Sequence, residues 1–185
     1  MSMLAKAPQL RPQDVVVLLD LALRQGGEWS YPQVASKLGM SASEVHAAIR
    51  RSVLARLAVA PPGKPISVNR RNLLEFLVHG ARYAFPVVRG PATRGHPTSH
   101  AAPVLEKRIV DDGGLPPVWP DASGPVRGES FSPLYPSASV VTAIVADRAL
   151  YDAVALVDAI RGGSARERQV ASGLLEKVLE SEAAR

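Results

Sequence analysis

Residues 31–50 read YPQVASKLGMSASEVHAAIR. Counted from Tyr31, the small Ala35 falls at the fifth position, Gly39 at the ninth and Val45 at the fifteenth. Two helices that cross at close range need a small side chain at the crossing, a residue tolerant of positive φ in the turn, and an apolar side chain where they meet. The three positions supply these in that order, and Leu38 and Ile49 complete the buried face. Ser30 is placed to cap the first helix, with Pro32 tolerated in its first turn. The second starts at a capping box, Ser41-Ala42-Ser43-Glu44, and is expected to reach Leu57.

Working outward, a helix is expected from Pro12 to the glycines Gly26 and Gly27, with Asp14 favourable in its first turn and Val15, Leu18, Leu19 and Ala22 at helical spacing. Downstream, Leu57-Ala58-Val59 and Ile66-Ser67-Val68 read as short strands around the loop Pro61-Pro62-Gly63-Lys64-Pro65, giving a small β-hairpin with a basic tip. A further helix is expected over residues 70–79, burying Leu73, Leu74, Leu77 and Phe76.

On these residues the chain resembles bacterial helix-turn-helix transcriptional regulators, and the hairpin extends the likeness to the winged-helix type. If Val45, Ile49, Ser52 and Val53 face inward, helical spacing turns Ser43, His46, Ala47, Arg50 and Arg51 outward, with Ser41 at the helix start. Such a face suits the major groove of double-stranded DNA. Arg50 can pair with guanine through two bonds, Ser43 and His46 can bond base edges or phosphates, and Ala47 allows close approach. Lys64 at the wing tip, with Arg70 and Arg71 after it, are candidates for phosphate contacts or minor-groove entry.

The charge distribution agrees with this division. Residues 1–100 carry 13 basic and 5 acidic side chains, residues 101–185 carry 9 and 12, so an attraction to polyanions belongs to the front half. With no cysteine among the 185 residues, a disulfide framework, a thiolate metal site and a cysteine nucleophile are excluded. No signal-peptide h-region and no apolar run of membrane-spanning length is present, so the expectation is a cytoplasmic protein without membrane association.

Thirteen of the sixteen prolines lie between Pro61 and Pro136, and residues 85–136 therefore read as mostly loop with at most short extended pieces. Tyr83, Phe85, Trp119, Phe131 and Tyr135 supply aromatic anchors, which favours an ordered irregular segment draped over the helices. Overlapping its start, residues 81–103 hold Arg82, Arg89, Arg94, His96 and His100 and no acid, making Arg82, Arg89, Arg94 and His96 candidates for phosphate or partner contacts. The segment is loosely similar to stretches in antitoxin-type regulators. A metal site at His96 and His100 lacks a third ligand, Asp111 and Asp112 being the nearest carboxylates. A Ser99-His100 hydrolase lacks a nucleophile elbow and an oriented acid.

From residue 137 to 161 one helix is expected, apolar around much of its circumference. It is either buried centrally or paired with a second subunit. After Gly162-Gly163 a last helix restarts at a capped Ser164 and carries Val170, Leu174, Leu175 and Val178.

The expected fold is mainly α: a winged helix-turn-helix with a small hairpin wing in residues 1–80, a proline-rich irregular connection in 81–136, and a helical dimerisation or partner-binding region in 137–185. The expected function is a dimeric transcriptional repressor with no cofactor, no metal and no catalytic residue. The alternative is an antitoxin or adaptor that grips a protein such as a toxin through the arginine-rich loop or the C-terminal helices.

Overall fold

A computed structural model describes residues 9–24, 28–109 and 113–181. These residues are mainly helical, with eight α-helices, one 3₁₀ turn and five short strands. The helices α1 (Pro12–Ala22), α2 (Tyr31–Leu38) and α3 (Ala42–Leu54) begin where the sequence places them. Ser30 and Ser41 each form a capping box, with Gln33 and Glu44 respectively returning the bond to the cap backbone. Gly39 takes the left-handed turn between α2 and α3 at φ 64°. The expected terminator of α1, Gly26-Gly27, lies outside the described residues.

Helix α3 stops at Leu54, not Leu57. Arg56 adopts φ 61°, and the Leu57 amide turns back to the Ser52 carbonyl at 2.9 Å, which sends the chain into β1 (Ala58–Val59). This strand pairs antiparallel with β2 (Ser67–Val68), Ala58 opposite Val68 and Val59 opposite Ser67. Helix α4 (Arg70–His79) follows, capped by Asn69. Its Leu73 and Leu77 are buried, while Leu74 and Phe76 are half-buried. A short α5 (Ala81–Ala84) completes the front of the molecule.

The proline-rich stretch is loop and turn over much of its length, as expected, but it is not irregular throughout. Its strands β3 (Arg89–Pro97), β4 (Pro117–Pro120) and β5 (Val126–Phe131) close into a small barrel. β3 pairs antiparallel with both others, and β4 and β5 pair parallel. The prolines fit where a missing amide costs least: Pro91 sits at a register shift between Gly90 and Ala92, and Pro97, Pro117 and Pro120 pair only at strand ends. Closure with so few strands demands backbone contact. A Cβ on Gly95 would overlap the Trp119 carbonyl, and one on Gly128 the Pro116 carbonyl. Tight packing of glycine backbones, which local composition suggests is loop, is what makes the barrel.

The single helix expected over 137–161 is two, α6 (Ala138–Ala146) and α7 (Arg148–Gly162). Asp147 leaves the helical region at φ −104°, ψ 104°, and its side chain accepts from the Leu150 amide, so it ends one helix and caps the next. Nearly the whole circumference of α7 is buried within the chain, against α8 (Ala165–Ser181), α6, α5 and the 3₁₀ turn Ser99–Ala101. Its apolar character is thus accounted for by central burial. The hydrophobic core is continuous from α1 through the barrel to α8. No helix of the described residues is long and apolar enough to cross a membrane.

Candidate nucleic-acid interface

Helix α3 meets the rest of the chain through Val45, Ala48, Ile49 and Ser52, all buried. At about 100° per residue, the opposite face carries Ser43, His46 and Arg50, which are exposed, and Ala47, which is half-buried. These four candidates share one surface. Ser41 is exposed beside them, but its hydroxyl is engaged with Glu44 Oε2 at 2.8 Å and the Glu44 amide at 3.2 Å. His46 is oriented by Tyr31, ring centroids 5.1 Å apart, and Tyr31 is braced edge-on by Trp29 at 5.4 Å. Arg50 has no carboxylate within ion-pair distance among the described residues.

Arg51 does not face outward. Its angular position is the flank beside Ala48, and from there the side chain turns inward to Asp14 in the first turn of α1, with Nε 2.8 Å from Oδ2 and Nη2 2.6 Å from Oδ1. The side chain is 10% exposed. The Asp14 carboxylate holds the guanidinium's pKa above its ordinary value, outweighing the opposing effect of burial. Spacing alone grouped Arg51 with Arg50 because it carries no information about a buried acid 37 residues earlier in the chain.

The other basic candidates also divide. Lys64 is exposed at the hairpin tip. Arg70 is partly buried and donates through Nη2 to the carbonyl of Ala22, the last residue of α1, where a cation meets unpaired helix carbonyls. Arg71 is exposed but lines a groove between α4 and α8 together with Glu75 and Glu176. A residue passed over in the sequence, Arg56, is exposed at the turn between α3 and the hairpin. Its carbonyl accepts from Asn72 Nδ2 at 2.9 Å, which fixes the turn against α4. The signal was a basic residue between helix and wing, hidden by extending α3 through it.

The segment that read as free of acids meets them in space. Arg89 pairs with Glu129 at 2.5 Å and lies over the Phe131 ring. His96 Nε2 is 3.3 Å from Asp121, Arg94 donates to the Gly124 carbonyl at 3.2 Å, and Arg82 stacks over Tyr83. His100 Nδ1 is 3.4 Å from Glu167 Oε1, while Glu167 Oε2 accepts from the Ser164 amide at 2.8 Å in the cap of α8. Asp111 and Asp112, weighed as metal ligands, lie outside the described residues. Arg82, Arg89, Arg94 and His96 therefore do not converge on one open cradle.

The α3 surface is anchored from the rear half of the chain. The Tyr135 hydroxyl donates to Glu44 Oε1 at 2.6 Å, and Ser139 Oγ donates to the Gly39 carbonyl at 3.2 Å. Lys37 on α2 joins Asp20 on α1 at 2.5 Å and Asp147 at the α6–α7 break at 2.7 Å. Burial works against the lysine charge, but Asp147 and Asp20 together hold its pKa above the ordinary value. The helix pair and its turn are thus held by the segments that follow the barrel. No protein-family model matches the chain, and no curated protein or solved structure was found to be similar to it.

Proposed function

We propose that the chain binds double-stranded DNA with sequence preference, as a winged helix-turn-helix transcriptional regulator acting as a homodimeric repressor in the cytoplasm. The observation that carries the reading is the outward face of α3: Ser43, His46, Ala47 and Arg50 lie together, and Arg50 is exposed with its charge unpaired among the described residues. A helix so presented can enter a major groove, where a guanidinium reads guanine through two parallel bonds and a small residue permits approach. Lys64 on the hairpin and Arg56 at its base supply charge for the flanking phosphates. The reading assigns the chain no catalytic step and no cofactor.

Selection of bound fragments from sheared genomic DNA, followed by sequencing, tests this directly. A recurrent motif, two-fold symmetric if the chain acts as a dimer, is the expected result. Absence of any salt-sensitive binding would sink the reading.

A second reading is favoured by a different observation. Tyr83 is 76% exposed with the Arg82 guanidinium 5.2 Å from its ring centroid, an apolar and basic surface that suits a protein partner such as a toxin. Stoichiometric co-purification that is lost on Tyr83→Ser would support it over a purely DNA-directed role.

A further inference from the structure

Strands β3 and β5 run antiparallel with Arg94 directly opposite Arg127. Directly opposed residues of such a pair project from the same face with Cβ atoms about 5 Å apart, and like charges in that relation repel. Both side chains are exposed, and neither has a carboxylate within ion-pair distance among the described residues. The acids of β5 and of the β4–β5 turn are committed elsewhere. Glu129, the next residue on the same face of β5, is held by Arg89 at 2.5 Å. Asp121 accepts the Ser123 hydroxyl at 2.6 Å and amide at 2.8 Å on Oδ1, and faces His96 with Oδ2.

One member of the pair and the backbone beneath both are fixed in place. Arg94 Nη1 donates to the Gly124 carbonyl at 3.2 Å, which holds its guanidinium over the β4–β5 turn. The strands cannot spread to relieve the repulsion, because Gly95, Gly124 and Gly128 bring the backbones of the barrel into contact. Two uncompensated guanidinium groups on a stiff support are what an oxyanion site requires before its ligand arrives. Each guanidinium offers parallel N–H donors that match two oxygens of one anion. Two such forks on one centre call for more oxygens than a carboxylate has.

We propose that Arg94 and Arg127 form a binding site for a phosphate group, separate from the outward face of α3. Binding neutralises the opposed charges. The phosphate belongs either to a nucleic-acid backbone, adding a sequence-independent contact, or to a phosphorylated small molecule.

The test uses the full chain and two probes. Titration with inorganic pyrophosphate at constant ionic strength, followed by the arginine Nε–H resonances in ¹⁵N spectra, should give saturable shifts at Arg94 and Arg127. Arg127→Gln should weaken that binding about tenfold or more. This variant breaks no hydrogen bond among the described residues and removes a repulsion, so its Tm without ligand should not fall. Arg94→Gln should weaken the binding similarly. In the second arm, binding to a duplex of arbitrary sequence is measured against salt.

Loss of the pyrophosphate response, with the duplex salt slope reduced by about 0.9 per lost contact, assigns the site to a nucleic-acid backbone. Loss of the response with an unchanged slope assigns it to a small phosphorylated ligand. A response that does not saturate, or that survives in both variants, overturns the site. The reading of α3 is scored separately: Arg50→Gln should lose sequence discrimination while keeping the pyrophosphate response.

Discussion

Arg51 of α3 and Asp14 of α1 form a buried two-point ion pair, with 2.8 and 2.6 Å contacts to the two oxygens of one carboxylate. Asp14 also accepts from the Arg11 amide at 2.9 Å, so one side chain caps α1 and fastens α3 to it. Removing one member leaves the other buried and unpaired, which costs about 3–5 kcal/mol, whereas replacing both with apolar groups is often near neutral. We expect Asp14→Ala to lower the urea midpoint steeply and the double change Asp14→Leu with Arg51→Met to recover most of the loss. Equal destabilisation in the single and double variants would refute a paired role.

Arg50, one residue earlier, should behave in the opposite way. It is exposed and unpaired among the described residues, so Arg50→Gln is expected to leave the unfolding free energy within about 0.5 kcal/mol. Its cost should appear as about 1–3 kcal/mol of lost discrimination between the selected DNA site and its single-base variants. Lys64→Gln should instead weaken binding to all sequences alike and reduce the salt slope by about 1. Competition binding at two salt concentrations separates the two, and a Lys64 variant that changed base preference would contradict the assignment.

The contrast between these neighbours marks what the sequence discloses. The cap at Ser30, the capping box at Ser41, the left-handed Gly39 and the apolar spacing from Ala35 to Ile49 are local, and their meaning survives without knowledge of the rest of the chain. The direction of Arg51 is not local, because the flank of a helix faces solvent or protein according to what packs there. The barrel was illegible for a related reason. Its strands are rich in proline and glycine, residues that locally predict loop, and its closure depends on Gly95 meeting Trp119 and Gly128 meeting Pro116 across long loops. Likewise Arg89 and His96 read as free charges because Glu129 comes from β5 and Asp121 from the β4–β5 turn.

Tyr135 and Glu44 connect the end of the barrel to the start of α3. The Tyr135 hydroxyl, then the amide and hydroxyl of Ser41, hold the Glu44 carboxyl below its usual range. A carboxylate with a lowered folded-state pKa contributes stability that is present above the unfolded value, about 4.3, and is lost as pH falls through the folded value. Tyr135→Phe removes the largest cause. It should cost about 1 kcal/mol at neutral pH, and its deficit relative to the unaltered chain should shrink below about pH 4. Unfolding curves at pH 7, 4 and 3 measure this. A deficit that stayed constant to pH 3 would mean that the hydroxyl is not acting on the carboxylate.

Asp158 is the deepest joint in the molecule. It is fully buried on α7, and its Oδ2 accepts from Thr98 Oγ1 at 2.8 Å and Trp119 Nε1 at 2.6 Å, while Oδ1 accepts from Arg161 Nη1 at 2.8 Å. Arg161 continues the chain of bonds to the carbonyls of Phe85 and Ser132 at 2.9 and 3.3 Å. One carboxylate therefore ties the barrel to the central helix and, through Arg161, to both ends of the barrel segment. Asp158→Ala strands a buried guanidinium and two further donors, and should cost about 3–5 kcal/mol. Trp119→Phe removes one donor and leaves the carboxylate with two, for a smaller cost of about 1–3 kcal/mol. If the network is one unit, the double variant should cost less than the sum of the single changes, since losses within a shared network are not additive. Strict additivity in urea unfolding would show instead that Trp119 serves the barrel by packing alone.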